Sequence, residues 1–207
     1  MNNKIKVLIA DDHSIVRMGL VTLLEMESDL AVVGQAANGT VAVSEALRLR
    51  PDVVVMDLMM PVLNGADATA RIKAEMPDAK IVIFTTYPTS DLIARALDNG
   101  ATGAIFKSAA DTDLVMAIRE VAAGRTCISP DIAKLLASDP PVATLTPRQH
   151  EILESIVRGL TNAEIAVLLG ISPTVVREHT IALFQKINAA NRAEAVAIAL
   201  RKHLVKA

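Results

Sequence analysis

Along the first 125 residues, hydrophobic positions fall in short, nearly continuous runs separated by amphipathic stretches. The runs Lys4–Ala10, Leu30–Ala36, Asp52–Asp57, Ala79–Thr85 and Gly103–Phe106 are rich in Val and Ile, the pattern expected of strands buried on both faces. Each is followed by a stretch with helical spacing, near Ile15–Met26, Gly39–Arg48, Ala66–Glu75, Ser90–Asn99 and Thr112–Ala123. Five strand-then-helix repeats predict an α/β fold, a doubly wound five-stranded parallel (βα)5 sheet. Right-handed crossovers then bring the C-terminal end of every strand to one edge. Ligand chemistry in such sheets takes place at that edge.

From Gly124 to Thr144 the pattern lapses, and Pro130, Asp139, Pro140 and Pro141 read as a linker with room for one short helix at Asp131–Ala137. Beyond it the spacing is helical throughout, at Pro147–Arg158, Asn162–Leu169, Pro173–Asn188 and Arg192–His203. Thr146 before Pro147 is an N-cap followed by proline in the first helical position, and Gly159 and Gly170 stand where helices should stop. The expected division is therefore an α/β domain over 1–125, a linker over 126–143 and a small all-α domain over 144–207.

Composition sharpens the picture in a few places. The chain is 52% hydrophobic but only 2% aromatic, with no Trp, so the cores must be aliphatic. No apolar stretch approaches the roughly 18 residues needed to cross a bilayer, and the N-terminus lacks a signal-peptide pattern. Cys127 is the single cysteine and has no metal-binding neighbours in sequence. A cytoplasmic protein without a membrane partner is the expectation. Net charge is −2, but unevenly spread. Residues 144–207 carry eight Lys/Arg against five Asp/Glu, while the first 126 carry 12 against 16. A mildly basic end on an acidic body is compatible with nucleic-acid contact.

Candidate chemistry gathers at the strand ends. Asp11 and Asp12 follow the first strand and Asp57 ends the third, and a doubly wound sheet makes those strands neighbours. Three carboxylates at one place repel one another unless a positive charge intervenes, and a hard, oxygen-seeking cation such as Mg²⁺ suits them. Thr85 ends the fourth strand and Lys107 follows the fifth, adding a hydroxyl donor and a fixed cation. A carboxylate nucleophile, a metal, a lysine and a hydroxyl around one point form a site that accepts a phosphoryl group. Any one of these aspartates alone is equally well explained as a cap or turn residue. Five groups at matching strand ends are not. His13, beside the acid pair, is read as the start of the first helix rather than as a metal ligand.

The runs Val7-Leu8-Ile9-Ala10-Asp11-Asp12-His13, Asp57-Leu58-Met59-Met60-Pro61-Val62-Leu63-Asn64-Gly65, Thr85-Thr86-Tyr87 and Phe106-Lys107 resemble the signatures of receiver domains. The resemblance implies that Asp57 takes a phosphoryl group from a sensor histidine kinase. It further implies that Asp12 and Asp57 hold Mg²⁺ by their side chains, Met59 by its backbone carbonyl and Asp11 through water. Thr85 would shift towards the phosphate and Lys107 would pair with it. Many receivers carry Tyr or Phe three residues before the lysine, where this chain has Ala104. The usual threonine-to-aromatic relay therefore cannot operate in its common form. Met59 and Tyr87 flank the acyl phosphate in receivers, and both are bulky here, so Tyr87 is read as a gate and the phosphoryl group as long-lived.

The second domain opens with Leu145-Thr146-Pro147-Arg148-Gln149-His150-Glu151-Ile152-Leu153. It continues through Gly159-Leu160-Thr161-Asn162-Ala163-Glu164-Ile165-Ala166 and Leu169-Gly170-Ile171-Ser172-Pro173-Thr174-Val175-Val176-Arg177-Glu178-His179. A helix, a tight turn and a second capped helix make a helix-turn-helix spanning 162–181. The stretch resembles the LuxR-type output domain of NarL/FixJ response regulators, which implies that the helix from Pro173 enters the major groove. Val176, Leu183 and Ile187 should face the core, leaving Thr174, Val175, Arg177, Glu178 and Ile181 for DNA. Positions 175 and 181 often carry a hydroxyl or a base in the family. Here they are apolar, which implies fewer phosphate contacts and a shallower salt dependence. Binding to paired half-sites of double-stranded promoter DNA should then depend on a homodimer formed on activation, with Arg192–His203 as the dimer surface by resemblance.

The function expected is a transcription regulator switched by phosphorylation, with no catalysis beyond self-phosphorylation and autodephosphorylation at Asp57. Two alternatives stand beside it: a DNA binder controlled by a protein partner or by abundance, and an aspartate-nucleophile phosphatase. The second needs a substrate-covering cap, where this chain has a DNA-binding module.

Overall fold

The computed structural model describes residues 4–86, 89–141, 145–202 and 204–205, and the chain divides into two compact units, residues 1–140 and 141–207. In the first, strands β1 (Ile5–Ala10), β2 (Leu30–Ala36), β3 (Val53–Met56), β4 (Ile81–Thr85) and β5 (Gly103–Phe106) alternate with helices α1 (Ser14–Glu25), α2 (Gly39–Leu49), α3 (Gly65–Glu75), α4 (Ser90–Asp98) and α5 (Asp111–Ala122). All strand pairs are parallel, and the order β2-β1-β3-β4-β5 is doubly wound, as expected.

Alternating residues of each strand feed two separate cores. Val7, Ile9, Val53, Val55, Val82, Phe84 and Ile105 pack towards α1 and α5. Leu8, Ala10, Val54, Met56, Ile81, Ile83 and Ala104 pack towards α2, α3 and α4. This explains why the runs are apolar at every position rather than at every second one. Arg119 on α5 donates through Nε and Nη2 to Asp29 at 2.9 and 2.7 Å, and through Nη2 to Glu27 at 2.7 Å. This fork ties the helix to the turn between α1 and β2.

The sheet has six strands rather than five. Cys127–Ile128 forms β6, pairing in parallel with β5 through Gly103–Cys127 and Ala104–Ile128. Helix α6 follows over Pro130–Ser138, longer than the expected Asp131–Ala137. The stretch read as linker is thus largely a sixth strand–helix repeat. Its helix starts for local reasons: the Ser129 hydroxyl accepts from the Ile132 N–H, and Pro130 occupies the first turn. Ile132 is fully buried in the core on the α4 side of the sheet. Residues 142–144, beside the expected boundary at 143, lie outside the described residues.

The second unit holds α7 (Pro147–Val157), α8 (Asn162–Leu169), α9 (Pro173–Lys186) and α10 (Arg192–Arg201). Thr146 with Gln149 and Thr161 with Glu164 form capping boxes that open α7 and α8. Ile152, Leu153, Ile156, Ile165, Val176, Leu183, Ala195 and Ala199 make the core. The final helix is shorter than expected, and His203 lies outside the described residues. Among the described residues no single helix is long and apolar enough to cross a membrane.

Candidate functional site

The β1, β3, β4 and β5 termini assemble the acidic edge. Asp57 follows β3 and donates its backbone N–H to the Ala10 carbonyl of β1 at 2.8 Å, so the ends of the two strands are locked side by side. Asp11 donates its N–H to the Ala36 carbonyl at 3.0 Å. Both carboxylates are almost sealed from solvent, at 1% exposure for Asp11 and 4% for Asp57.

What makes that burial tolerable is Lys107. Its Nζ donates to Asp57 Oδ2 at 2.8 Å and also to Asp11 Oδ2. One ammonium therefore bridges two buried carboxylates that would otherwise repel. Burial opposes the charge on Lys107, but the hydrogen bonds to Asp11 and Asp57 outweigh it and hold its pKa above the ordinary lysine value. The lysine is placed by its own backbone, whose N–H reaches the Thr85 carbonyl at 2.9 Å. Asp11 is further fixed by the His13 N–H, 2.7 Å from Oδ1, and its carbonyl accepts from Arg17 Nη1 at 2.7 Å.

The residues expected at the site mostly come together. Asp11, Asp12, His13 and Asp57 offer ligand atoms that all lie within 4.8 Å of one another. Among the described residues Thr85 Oγ1 is buried without a hydrogen-bond partner, and Asp12 Oδ1 is buried with the His13 ring beside it. An orphaned buried oxygen is costly unless something binds there. These two atoms, with the carboxylate donors around them, fit a hard cation and an incoming oxyanion. His13 is the N-cap residue of α1, as expected, without a side-chain cap bond. Its Nδ1 nonetheless lies 2.9 Å from Asp12 Oδ1, next to the cluster. Met59 sits on the loop after Asp57, its N–H 3.4 Å from Asp57 Oδ1 and its side chain partly exposed. Tyr87 lies outside the described residues.

Sequence reasoning passed over two contributors. A β-carbon built at Gly65 would meet the Asp57 carbonyl oxygen at 2.0 Å, so the loop that carries Asp57 closes tightly against the start of α3. The other is Arg17, one helical turn beyond His13. Both depend on how a loop folds back, which strand periodicity does not report.

The second candidate surface is built by α8 and α9, whose axes turn by 109° across Gly170. Gly170 takes the left-handed conformation, φ 65, that lets α8 end abruptly. Ser172 then caps α9, accepting from the Val175 N–H at 3.3 Å. Val176, Leu183 and Ile187 are buried as expected. Thr180 is also buried and returns its hydroxyl to the Val176 carbonyl at 2.7 Å. Thr174, Arg177, Glu178 and Ile181 are exposed on the opposite side, and Val175 is half-buried.

Comparison with known proteins matches residues 7–119 to the response regulator receiver domain and residues 143–199 to the bacterial regulatory proteins of the luxR family. The oxygen regulatory protein NreC of Staphylococcus carnosus is 37% identical over 214 residues, covering 97% of this chain and 99% of NreC. The response regulator protein VraR of Staphylococcus aureus is 33% identical, covering 98% and 99%. Among solved structures, the RcsB–DNA complex aligns with a TM-score of 0.68 at 26% identity, covering 96% of this chain and 99% of RcsB.

Proposed function

Since the chain belongs to the response regulators that join a receiver domain to a luxR-family output domain, we propose that Asp57 is its phosphoacceptor and α9 its DNA-reading helix. The observation that carries the acceptor reading is the bridge from Lys107 to Asp57 and Asp11, beside a Thr85 hydroxyl with no partner among the described residues. A carboxylate oxygen of Asp57 attacks the phosphorus of a phosphohistidine on a sensor kinase. The P–N bond breaks, the imidazole leaves, and an acyl phosphate forms. Lys107 Nζ already lies 2.8 Å from Asp57 Oδ2, so it can pair with the new charge. The Thr85 hydroxyl has a free donor for a phosphoryl oxygen. Asp12 and Asp57 would hold Mg²⁺ by their side chains, Met59 by its carbonyl and Asp11 through water, and the ion would neutralise charge on the transferring group.

Catalysis in this reading is limited to phosphoryl uptake and loss at Asp57. Met59 and Tyr87 are bulky residue types ill suited to orienting an attacking water, so the phosphoryl group should persist on the order of tens of minutes. Incubation with radiolabelled acetyl phosphate and Mg²⁺ tests both points. Label should enter the wild type, be absent from Asp57→Ala, and decay slowly after removal of the donor. Equal labelling of the variant sinks the acceptor assignment, and loss within about a minute sinks the predicted lifetime.

At the other end, Arg177 is suited to a guanine edge or a phosphate, and Thr174, Val175, Glu178 and Ile181 complete the reading face. Phosphorylation is expected to favour a homodimer that presents two such helices to paired half-sites of promoter DNA. The predicted partners are therefore a sensor histidine kinase, double-stranded DNA and a second copy of the chain, all met in the cytoplasm.

A further inference from the structure

The sixth strand–helix repeat covers the flank of the sheet on which Ala104 lies. Ala104 points into the core on the α4 side and is fully buried. Its carbonyl accepts the Ser129 N–H at 2.9 Å, which sets α6 beginning directly beside it. Ile132, on the first turn of α6, is fully buried in the same cluster as Ala104, Leu92, Ile93, Ala96 and Ala101, with Leu135 and Leu136 packed against it. A methyl group at 104 and a branched side chain at 132 thus fill one buried cluster where α6 meets β5.

Helix α6 is also tied to α4 by a polar contact. Ser90, the first residue of α4, donates through Oγ to Oδ2 of Asp139, the residue that ends α6, at 2.8 Å. Ser90 stands only five positions after Thr85. Helix α6 is thus packed at its start through Ile132 and tied at its end through Asp139. At its far end α6 leads through residues 139–146 into α7.

We propose that α6 is the element through which phosphorylation is read: Ile132 stands in for the missing aromatic at position 104, and movement of Thr85 and the start of α4 undocks α6 from the α4–β5 flank. The inference rests on the acceptor role of Asp57 and adds the route by which its state reaches the output domain. Small shifts at a site become discrete changes because a packed core does not deform continuously. A nine-residue helix whose hold includes Ile132, Leu135, Leu136 and the Ser90–Asp139 bond is a small cooperative unit that can open on its own.

Hydrogen–deuterium exchange on the full chain, with and without beryllofluoride and Mg²⁺, tests this. The loop 57–65 reports whether the phosphoryl mimic has bound, and amides of 130–138 report α6. On activation the loop should gain protection while 130–138 exchange about tenfold faster or more. In Ala104→Tyr the ring and Ile132 compete for one space, so 130–138 should exchange at the activated rate without beryllofluoride. Ile132→Ala should do the same while its loop still gains protection on adding beryllofluoride, which guards against misfolding of the first variant. Protection of the loop with unchanged exchange at 130–138 overturns the inference and leaves the acceptor role standing. No response at either place overturns the acceptor role and this inference with it.

Discussion

At Gly65 a side chain has nowhere to go, because the Asp57 carbonyl oxygen stands where a β-carbon would be. Gly65→Ala must therefore push the acceptor loop off the end of α3. The expected loss of stability is about 2–4 kcal/mol, within the range for backbone clashes in a packed region. Urea denaturation measures it, and an unchanged midpoint would mean that the loop moves aside freely. This contact was not legible in the sequence, since the approach of the Asp57 loop to the start of α3 leaves no periodic signal. The acidic pocket was legible for the opposite reason. Asp11, Asp12, Asp57, Thr85 and Lys107 stand at strand ends, and in a doubly wound sheet topology alone brings strand ends together. What the residue pattern could not convey was the resting arrangement, in which Lys107 bridges Asp11 and Asp57 before any phosphate arrives.

Among the elements, α5 is joined to the α1–β2 turn by Arg119 and its two carboxylate partners. Hydrogen bonding to Arg119 is the largest influence on Asp29 and holds its pKa below the ordinary 3.8. A depressed carboxylate contributes stability that is complete above its unfolded pKa and is lost as the pH falls through the folded one. The clamp should thus be intact at neutral pH and fail only in acid, below about pH 4. Arg119→Ala is expected to lower the neutral plateau slightly, because the pair is partly exposed, and to cost still less at pH 3.5, so that the acid limb flattens. Chemical denaturation at pH 3.5 and pH 7 checks this, and equal losses at both would contradict it. The five main strands were legible from continuous Val- and Ile-rich runs. The sixth was not, because Cys127–Ile128 is too short to show a period. Its helix did carry a sign, since Ser129-Pro130 repeats the cap-and-proline start of Thr146-Pro147.

For the whole chain, activation should change association. The mass in solution is expected to double on adding beryllofluoride and Mg²⁺ to the wild type and to stay constant for Asp57→Ala. A variant that responds like the wild type would remove Asp57 from the mechanism. DNA affinity should follow the dimer and weaken only modestly with salt, since Val175 and Ile181 bring no charge to the reading helix. A steep dependence, with many released counterions, would point to phosphate contacts away from α9. The sixth repeat also decides where the protein can be cut. A fragment ending at residue 140 keeps its flank covered. One ending at 125 strips the shelter from Leu92, Ile93 and Ala96 and leaves the edge of β5 bare. The shorter fragment should cling to itself and fall out of solution, although it retains Asp11, Asp12, Asp57, Thr85 and Lys107.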